Sequence, residues 1–476
     1  MNFLPNSQGR RGTLFKLVDA ALFLASAGLL HADSNNLPPG YSIRLISSNL
    51  APSLTMSISQ LAFKTGDMTH VYAARDAMAK VSRYDYDPAT GLLSNEVMVA
   101  TNTDHRELIG LGFHSNNLYV TFDYGGSRSV RPGDGRIARF FNPDNSGVYQ
   151  SRHDFVYGID KGDHDLDMIK FKGDTLYVGI GAASRNGDPA RENIYTMTIA
   201  RIVDVNQIVS NTNEIGSDFK GPINYLASPA EWVNTNGVDG QLRYFASGFR
   251  NPFGINFDPD GDLWASSNGN SDPGFFSEDV LFKKVSLGAQ GDFPPPDFGF
   301  TNYITGTPIT PFIDLGVSPS PTGFDFIRNG PDAGKVLLAQ AGATQSNALG
   351  RDLHLIDPNT GSHQQIYQFS TNAPVSIISD VLRDPYGRFL IADYTRGDVW
   401  LLTPPLPRPA LSAALTNGNL RLSWSLTGVE FHLEENSELL LTNTWQTSSA
   451  LSQINANAVE AWIAVTNSAR FFRLSK

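Results

Sequence analysis

A histidine flanked by aspartates lies ahead of a predicted β-hairpin in the middle of the chain. The segment reads Asp163-His164-Asp165-Leu166-Asp167. An imidazole titrates near neutral pH, so His164 at the start of a strand could act as a general base. The segment also fits a loop histidine satisfied by its neighbours. Its alternating carboxylates are compatible with calcium.

A second candidate site lies between Gly248 and Gly254. Arg250 and Asn251 come directly before Pro252, which fixes the chain and biases the preceding residue towards an extended conformation. A guanidinium and an amide held together can bind an anionic or carbonyl oxygen. The alternative is a structural arginine that bridges backbone carbonyls between neighbouring repeats.

A third candidate is the polar segment 267–274, which is rich in Ser, Asn, Asp and Gly. Its exposed carbonyls and carboxylates could hold calcium, which prefers oxygen ligands. A polar loop without a metal is the alternative, since these residues are also common in turns.

These three segments belong to a chain that repeats one short hairpin six times. Each copy has an apolar residue, a polar turn and a short strand, and the copies begin at Ala62, Gly112, Lys170, Asn256, Asp325 and Leu382. A hairpin cannot bury its apolar face alone, whereas stacked copies can. The repeat therefore predicts an all-β fold, a six-bladed β-propeller. A strand predicted at 41–46 would complete the last blade.

The C-terminal part of the chain has a different pattern. A proline-rich stretch at 404–409 reads as a stiff linker, and after it Leu420 to Trp424 and Phe471 to Leu474 alternate with a period of two. This pattern predicts a small immunoglobulin- or fibronectin-like β-sandwich. The predicted domains are a signal peptide at 1–32, the propeller at 33–403, the linker at 404–409 and the sandwich at 410–476.

The first 32 residues resemble an export signal. Arg10, Arg11 and Lys16 precede an apolar run from Ala20 to Leu30. A basic segment followed by a short apolar run is typical of a secretory signal peptide, which predicts a secreted or periplasmic protein. The alternative is a buried helix. The run is too short to span a membrane, and no other stretch is apolar enough, so no transmembrane segment is expected.

Composition excludes several classes of function. The 476 residues carry a net charge of −11, with no basic cluster after the N-terminus, which argues against nucleic-acid partners. There is no cysteine, which excludes disulfides, thiol catalysis and zinc–thiolate sites. The sequence also has no nucleophile elbow, P-loop or dinucleotide fingerprint.

The third and fourth hairpins together resemble a known family. Arg250 to Gly254 reads R-N-P-x-G, and Asp258 to Trp264 follows with D-P-D-G-x-L-W. Together with His164 to Gly181, these motifs are similar to the soluble quinoprotein glucose/sorbosone dehydrogenases over roughly residues 40–403. The resemblance implies an exported six-bladed propeller that binds pyrroloquinoline quinone (PQQ) and calcium over the channel mouth.

The resemblance also implies a role for each candidate residue. His164 would take the hydroxyl proton while hydride passes to the quinone. Arg250 and Asn251 would contact the quinone oxygens, and the carbonyls of Gly269 and Asn270 would hold calcium. The partners would be a sugar or other alcohol and an electron acceptor.

The sequence departs from this family at three places. Ala182 stands where glucose-oxidising members carry an aspartate that orients the base. The segments 337–344 and 374–381 contain no Lys or Arg, whereas the family supplies cations there. PQQ is a tricarboxylate, so each lost charged hydrogen bond removes about 1.5–3 kcal/mol. Arginines in other loops could compensate, namely Arg185, Arg328, Arg351 and Arg396.

Three hypotheses follow. The favoured one is a PQQ-dependent oxidoreductase acting on CH–OH groups. The second is a calcium-stabilised propeller that binds glycans or proteins without redox chemistry, with surface or glycan contact through the C-terminal module. The third is a propeller hydrolase that uses calcium and inward polar residues such as Asp258, Asn268 and Asp393.

Overall fold

The computed structural model describes most of the chain after residue 36. The described residues are 37–47, 57–101, 107–123, 135–159, 164, 166–182, 197–207, 242–269, 278–291, 307–316, 319–342, 350–369, 376–438, 445–455, 458–466 and 469–475. The predicted signal peptide lies outside them. They contain strands and short 3-10 turns. No helix in these ranges is long and apolar enough to cross a membrane.

In the part of the chain predicted as a propeller, the described residues form twenty-six strands. The first thirteen are β1 (Ser42–Leu45), β2 (Ile58–Phe63), β3 (His70–Arg75), β4 (Lys80–Tyr86), β5 (Leu93–Thr101), β6 (Glu107–His114), β7 (Asn117–Asp123), β8 (Gly135–Pro143), β9 (Tyr149–Ile159), β10 (Leu166–Lys172), β11 (Thr175–Ile180), β12 (Thr198–Ile202) and β13 (Leu242–Ser247). The next thirteen are β14 (Ile255–Phe257), β15 (Leu263–Ser267), β16 (Val280–Val285), β17 (Ala289–Gln290), β18 (Thr307–Pro308), β19 (Ile313–Asp314), β20 (Pro321–Phe326), β21 (Val336–Gln340), β22 (Asp352–Ile356), β23 (His363–Gln368), β24 (Ile378–Arg383), β25 (Phe389–Asp393) and β26 (Asp398–Thr403).

These strands form six sheets in succession, which are the blades of a propeller. The sheets are β2–β5, β6–β9, β10–β13 extended by β17 and β18, β14–β16 with β19, β20–β23, and β24–β26 with β1. The first strands β2, β6, β10, β14, β20 and β24 contact one another in this order, and β24 contacts β2. The all-β propeller predicted from the repeats is therefore confirmed.

The N-terminal strand completes the last blade, as predicted. β1 pairs antiparallel with β26, so Ser42 lies opposite Thr403 and Leu45 lies opposite Trp400. Strands from the two ends of the propeller thus share one sheet. This pairing removes an exposed sheet edge, which would otherwise invite association with other chains.

One aromatic contact explains why the hairpin repeats. In each of the first four blades, the second strand carries an aromatic residue. This residue packs edge-on against a phenylalanine on the first strand of the next blade. The pairs are Tyr72–Phe113, Tyr119–Phe171, Tyr177–Phe257 and Trp264–Phe326, with ring centroids 4.6, 5.1, 5.1 and 5.4 Å apart. Such contacts bury large apolar areas between blades.

Buried hydroxyl groups on the first or second strand of one blade join that blade to the first strand of the next. Each donates to a backbone carbonyl of the following blade: Ser59 to Leu108 (2.8 Å), Thr121 to Asp167 (3.0 Å), Ser266 to Thr322 (2.9 Å), Thr322 to Ile378 (2.8 Å) and Ser379 to Ile58 (2.6 Å). The third blade has Gly179 at the position of Thr121 and Ser266, directly against the carbonyl of Pro252. The junction between the third and fourth blades is thus built differently.

The C-terminal residues form two small sheets. Their strands are β27 (Ser412–Thr416), β28 (Asn419–Ser425), β29 (His432–Asn436), β30 (Gln446–Thr447), β31 (Ser452–Ile454), β32 (Ala458–Ala464) and β33 (Phe471–Ser475). One sheet has the order β27-β28-β32-β31 and the other β30-β29-β33. Trp424 and Leu433, one from each sheet, belong to an apolar cluster that includes Ile58 and Tyr386 of the propeller.

Candidate active site

Backbone hydrogen bonds bring the two candidate segments together at the junction of the third and fourth blades. The His164 N–H donates to the Ala182 carbonyl at 3.2 Å, and the Ala182 N–H donates to the Arg250 carbonyl at 2.8 Å. His164 precedes β10, Ala182 follows β11 and Arg250 precedes β14. All three therefore lie at the end of the propeller where the first strands begin.

The side chains of His164 and Asn251 both lie against Gly181. A Cβ atom at this position would overlap both the Cβ of His164 and the Oδ1 of Asn251. The reason for glycine here is close approach, because only a residue without a side chain leaves room for both groups. The sequence indicates this glycine as the end of a hairpin but not its contacts.

A second glycine, Gly179 in β11, lies directly against the backbone of the fourth blade. A Cβ on Gly179 would overlap the carbonyl oxygen of Pro252. The Met168 N–H also approaches the Phe253 carbonyl, at 3.4 Å. The R-N-P segment therefore lies directly on the third blade, with its backbone held by β10 and β11.

Arg250 and Asn251 are both buried, with 7% and 6% of their surface exposed. Arg250 donates from one terminal nitrogen to the carbonyl of Asn268 (3.3 Å) and to that of Gly269. These carbonyls belong to the fourth blade, as does Arg250, so these contacts brace the end of β15 within one blade.

The Asn251 side chain has unused hydrogen-bonding capacity. Its backbone carbonyl accepts from the N–H groups of Phe253 (2.8 Å) and Asn268 (3.0 Å). Its buried Oδ1 has no hydrogen-bond partner, and neither does Oδ1 of Asn268. A buried acceptor without a donor is costly and calls for an explanation. A polar ligand at the mouth would supply one.

Asp279 holds the loop beside Arg250 in place. Its buried carboxylate accepts from the N–H of Gly269 through Oδ1 and from the N–H of Ser320, at 2.7 Å, through Oδ2. The residue thus ties the end of β15 to the start of the fifth blade. The sequence gives little sign of this role, since the two amide partners of Asp279 are 10 and 41 positions away in the chain.

The structure leaves the predicted calcium site as a prediction. Gly269 is described, and its carbonyl accepts from Arg250. Asn270 lies outside the described residues. In the described ranges, no group of three or more His, Asp or Glu side chains is arranged to hold a metal.

Two of the residues considered for the site lie at the wrong end of the blades. Arg328 follows β20 and stacks over Phe326, with its guanidinium 6.0 Å from the ring centroid. Asp258 follows β14, and its carboxylate accepts from backbone N–H groups of its own turn and from Trp264 Nε1 at 3.1 Å. Both side chains support hairpin turns, so neither can reach the mouth where His164 lies.

In the fifth and sixth blades, the second strands end at the mouth with a polar and an acidic residue. Gln340, at the end of β21, is buried, and so is Asp393 at the end of β25. Burial raises the pKa of the Asp393 carboxyl above its usual range. Arg351 and Arg396 lie at this end, beside β22 and β26, whereas Arg185 lies outside the described residues.

Comparison with solved structures identifies the fold. The calcium structure of a Carbohydrate-Active Enzymes Family AA12 protein from Trichoderma reesei matches 77% of this chain and 96% of its own, with a TM-score of 0.56 and 15% identity. The pyranose dehydrogenase PQQ domain from Coprinopsis cinerea, in its holo form, matches the same shares with a TM-score of 0.55 and 12% identity.

A third likeness is the PQQ-bound aldose sugar dehydrogenase from Streptomyces coelicolor. It matches 77% of this chain and 99% of its own, with a TM-score of 0.51 and 17% identity. No family model and no curated protein matches the sequence. The chain therefore has the propeller fold of the PQQ-dependent sugar dehydrogenases, and the resemblance drawn from its motifs is confirmed at the level of the fold.

Proposed function

We propose that this protein is an exported PQQ-dependent dehydrogenase of sugars or other alcohols, with His164 as the base. The observation that carries the proposal is the meeting of His164 and Asn251 at Gly181, beside the buried Arg250. The same end of the propeller carries these residue types in the resembled family. The N-terminal sequence pattern supports export to the periplasm or the medium.

The residues at the mouth fit the quinone end of the cofactor. Arg250 offers a buried guanidinium, which can stabilise negative charge on a quinone oxygen. Asn251 offers an amide whose oxygen has no protein donor. A ligand with both acceptor oxygens and N–H or O–H groups would satisfy this pair. The fifth and sixth blades fit the carboxylate end less well, because the ends of β21 and β25 carry Gln340 and Asp393, although the buried Arg351 lies beside β22 at the same end.

When bound, PQQ supplies a quinone that can accept hydride from the carbon bearing the hydroxyl group. His164 takes the proton of that hydroxyl on an imidazole nitrogen. Arg250 stabilises the negative charge that develops on the acceptor oxygen. Asn251 orients the reacting groups by hydrogen bonding.

His164 is oriented here without the aspartate of the glucose-oxidising members, because Ala182 occupies that place. The hydrogen bond from the His164 N–H to the Ala182 carbonyl and the packing of His164 on Gly181 restrict the residue instead.

Calcium belongs to the same proposal. The Gly269 carbonyl already accepts from Arg250, but a carbonyl oxygen has two lone pairs. Together with Asn270 and water, it would provide part of the six to eight oxygens that calcium takes. An electron acceptor is the second partner. The C-terminal module would supply surface or glycan contact.

Titration of the purified protein with PQQ and calcium tests the proposal. We expect a quinone absorbance band on binding and reduction of a dye when an aldose is added. His164→Ala should abolish dye reduction while PQQ binding remains, and Arg250→Met should weaken binding itself. His114→Ala is the matched control, because His114 ends β6 at the opposite end of the blades and pairs with Asp174.

A non-catalytic propeller that binds glycans or proteins is the second candidate. It is favoured by the absence of Lys and Arg from 337–344 and 374–381, and by the buried Asp393 where a tricarboxylate would need cations. Failure of PQQ to bind in the presence of calcium, with aldoses unoxidised, would establish this candidate over the dehydrogenase.

A further inference from the structure

Two histidines lie side by side on the outer strands of the fifth blade. His354 lies on β22 and His363 on β23, with ring centroids 5.5 Å apart and planes at 68°. In the strand register Ile356 pairs with His363 and His354 pairs with Gln365. The two imidazoles are therefore diagonal neighbours on one face of the sheet, where long side chains can meet.

The carboxylate of Asp352 lies next to His354. Oδ2 of Asp352 is 3.5 Å from Nε2 of His354 and accepts from Nε2 of Gln365 at 3.0 Å. Oδ1 of Asp352 and Nδ1 of His354 are both buried and have no hydrogen-bond partner. Unsatisfied buried polar atoms are rare in folded proteins, and an absent ion is one of their ordinary causes.

The spacing of the two rings suits a shared metal ion. With metal–nitrogen bonds of about 2.1 Å and a tetrahedral angle, two imidazole rings on one ion have centroids roughly 5 Å apart. Histidines that bind metals commonly direct their other ring nitrogen at a carboxylate, which sets the tautomer. Asp352 stands in this position beside Nε2 of His354, and Nδ1 is then the ligand atom.

Solvent reaches the second histidine of the pair. His363 is exposed, which gives an ion access from solvent.

We propose that His354 and His363 form a binding site for a divalent transition-metal ion such as Zn²⁺ or Ni²⁺, with Asp352 positioning His354 and water completing the coordination. Imidazole ligands favour these ions over calcium. The site lies on the outer strands of one blade and shares no residue with the channel mouth. It does not depend on whether the protein is a dehydrogenase.

Calorimetric titration of the full-length, EDTA-treated protein with ZnCl₂ and with NiCl₂ tests this proposal. We expect one equivalent of metal to be lost, or weakened at least tenfold, in His363→Ala. Asp352→Asn should lower the affinity for the same equivalent of metal by about tenfold, as loss of a carboxylate hydrogen-bonded to a ligating histidine commonly does. His70→Ala is the matched control, because His70 is partly exposed and pairs with Asp67 in the first blade, and it should leave binding unchanged.

His164→Ala serves as a second background, because the imidazole at the mouth is another candidate ligand for these ions. The equivalent assigned to His354 and His363 must persist in that variant. The proposal is overturned if neither ion binds at millimolar concentration. It is equally overturned if His363→Ala, folded by its circular dichroism spectrum, binds both ions as the parent protein does.

Discussion

His164 and Asn251 flank the same glycine, although 87 positions of sequence numbering separate them. A Cβ at Gly181 would overlap both side chains, so the third blade provides the space in which the two meet. Their proximity depends on a residue that carries no functional group. The site is therefore sensitive to substitutions that add volume between the blades.

We expect Gly181→Ala to disrupt the mouth. The added methyl must displace His164 or Asn251, at a cost of about 1–3 kcal/mol for overpacking. PQQ binding and the thermal unfolding midpoint should both fall. Gly112→Ala is the control, because its Cβ would meet the side chains of Ile169 and Phe171 at 3.0 and 3.1 Å, away from the mouth. Equal PQQ binding in Gly181→Ala and the parent would contradict this explanation.

Asp279→Ala should destabilise the protein strongly. The substitution leaves the N–H groups of the half-buried Gly269 and Ser320 without this acceptor, at about 1–3 kcal/mol each. Urea unfolding should show a total loss of roughly 2–6 kcal/mol. Asp260→Asn, at an exposed turn, should change stability by less than about 0.5 kcal/mol. Similar losses in the two variants would refute the role given to Asp279.

Arg388 joins the propeller to the C-terminal sheets. The buried guanidinium donates to Asp384 (2.8 Å) and to the Tyr86 hydroxyl (2.6 Å), and it reaches Glu430 at 3.2 Å. Arg388→Met leaves the Asp384 carboxylate buried without its cation, which should cost about 3–5 kcal/mol in chemical denaturation. Glu430→Gln weakens the contact with the C-terminal sheets and leaves Arg388 paired with Asp384. A loss for Glu430→Gln as large as for Arg388→Met would argue against this ranking.

The stability of the fold should increase as the pH falls from 7.5 to 5. Burial raises the pKa of Asp380 to about 6, and burial together with Asp393 raises that of Asp398 to about 6. Because the folded pKa exceeds the unfolded value near 3.9, the folded state binds more protons in this range. Ionisation therefore destabilises the fold as pH rises through 6.

The Asp380→Asn variant isolates this contribution. Asp380 accepts from the N–H groups of Leu61 and Val381, each at 2.8 Å, so the amide should lower stability at every pH. The increase on acidification should be smaller in the variant than in the parent by about 1–3 kcal/mol, measured by urea unfolding at several pH values. Parallel pH profiles for the two proteins would contradict the prediction.

Much of the scaffold was predictable because its information is local. The hairpin copies that begin at Lys170 and Asp325 start within β10 and β20, and each continues through the turn into the second strand of its blade. The aromatic and phenylalanine positions recur because each packs on its counterpart in the next blade. A position that has the same kind of neighbour in successive repeats keeps the same residue type, and this recurrence is visible in the sequence.

The predictions for Arg328 and Asp258 were wrong for a geometric reason. Each residue follows a first strand, so the strand length carries it away from the mouth to the turn end of the hairpin. Residue type alone does not distinguish the two ends of a short strand. Their position relative to the strand was the signal that could have excluded them.

The sequence by itself determined the number of blades, the completion of the last blade by the N-terminal strand and the identity of the polar residues ahead of β10 and β14. Only the tertiary structure decided that Gly181 lies between His164 and Asn251, that Arg250 braces the Gly269 carbonyl, and that His354 lies beside His363. Apolar contacts that recur between blades can be predicted from the sequence pattern, since successive blades pack against each other in the same way. Contacts made once depend on register and on the approach of distant strands, which no local pattern records.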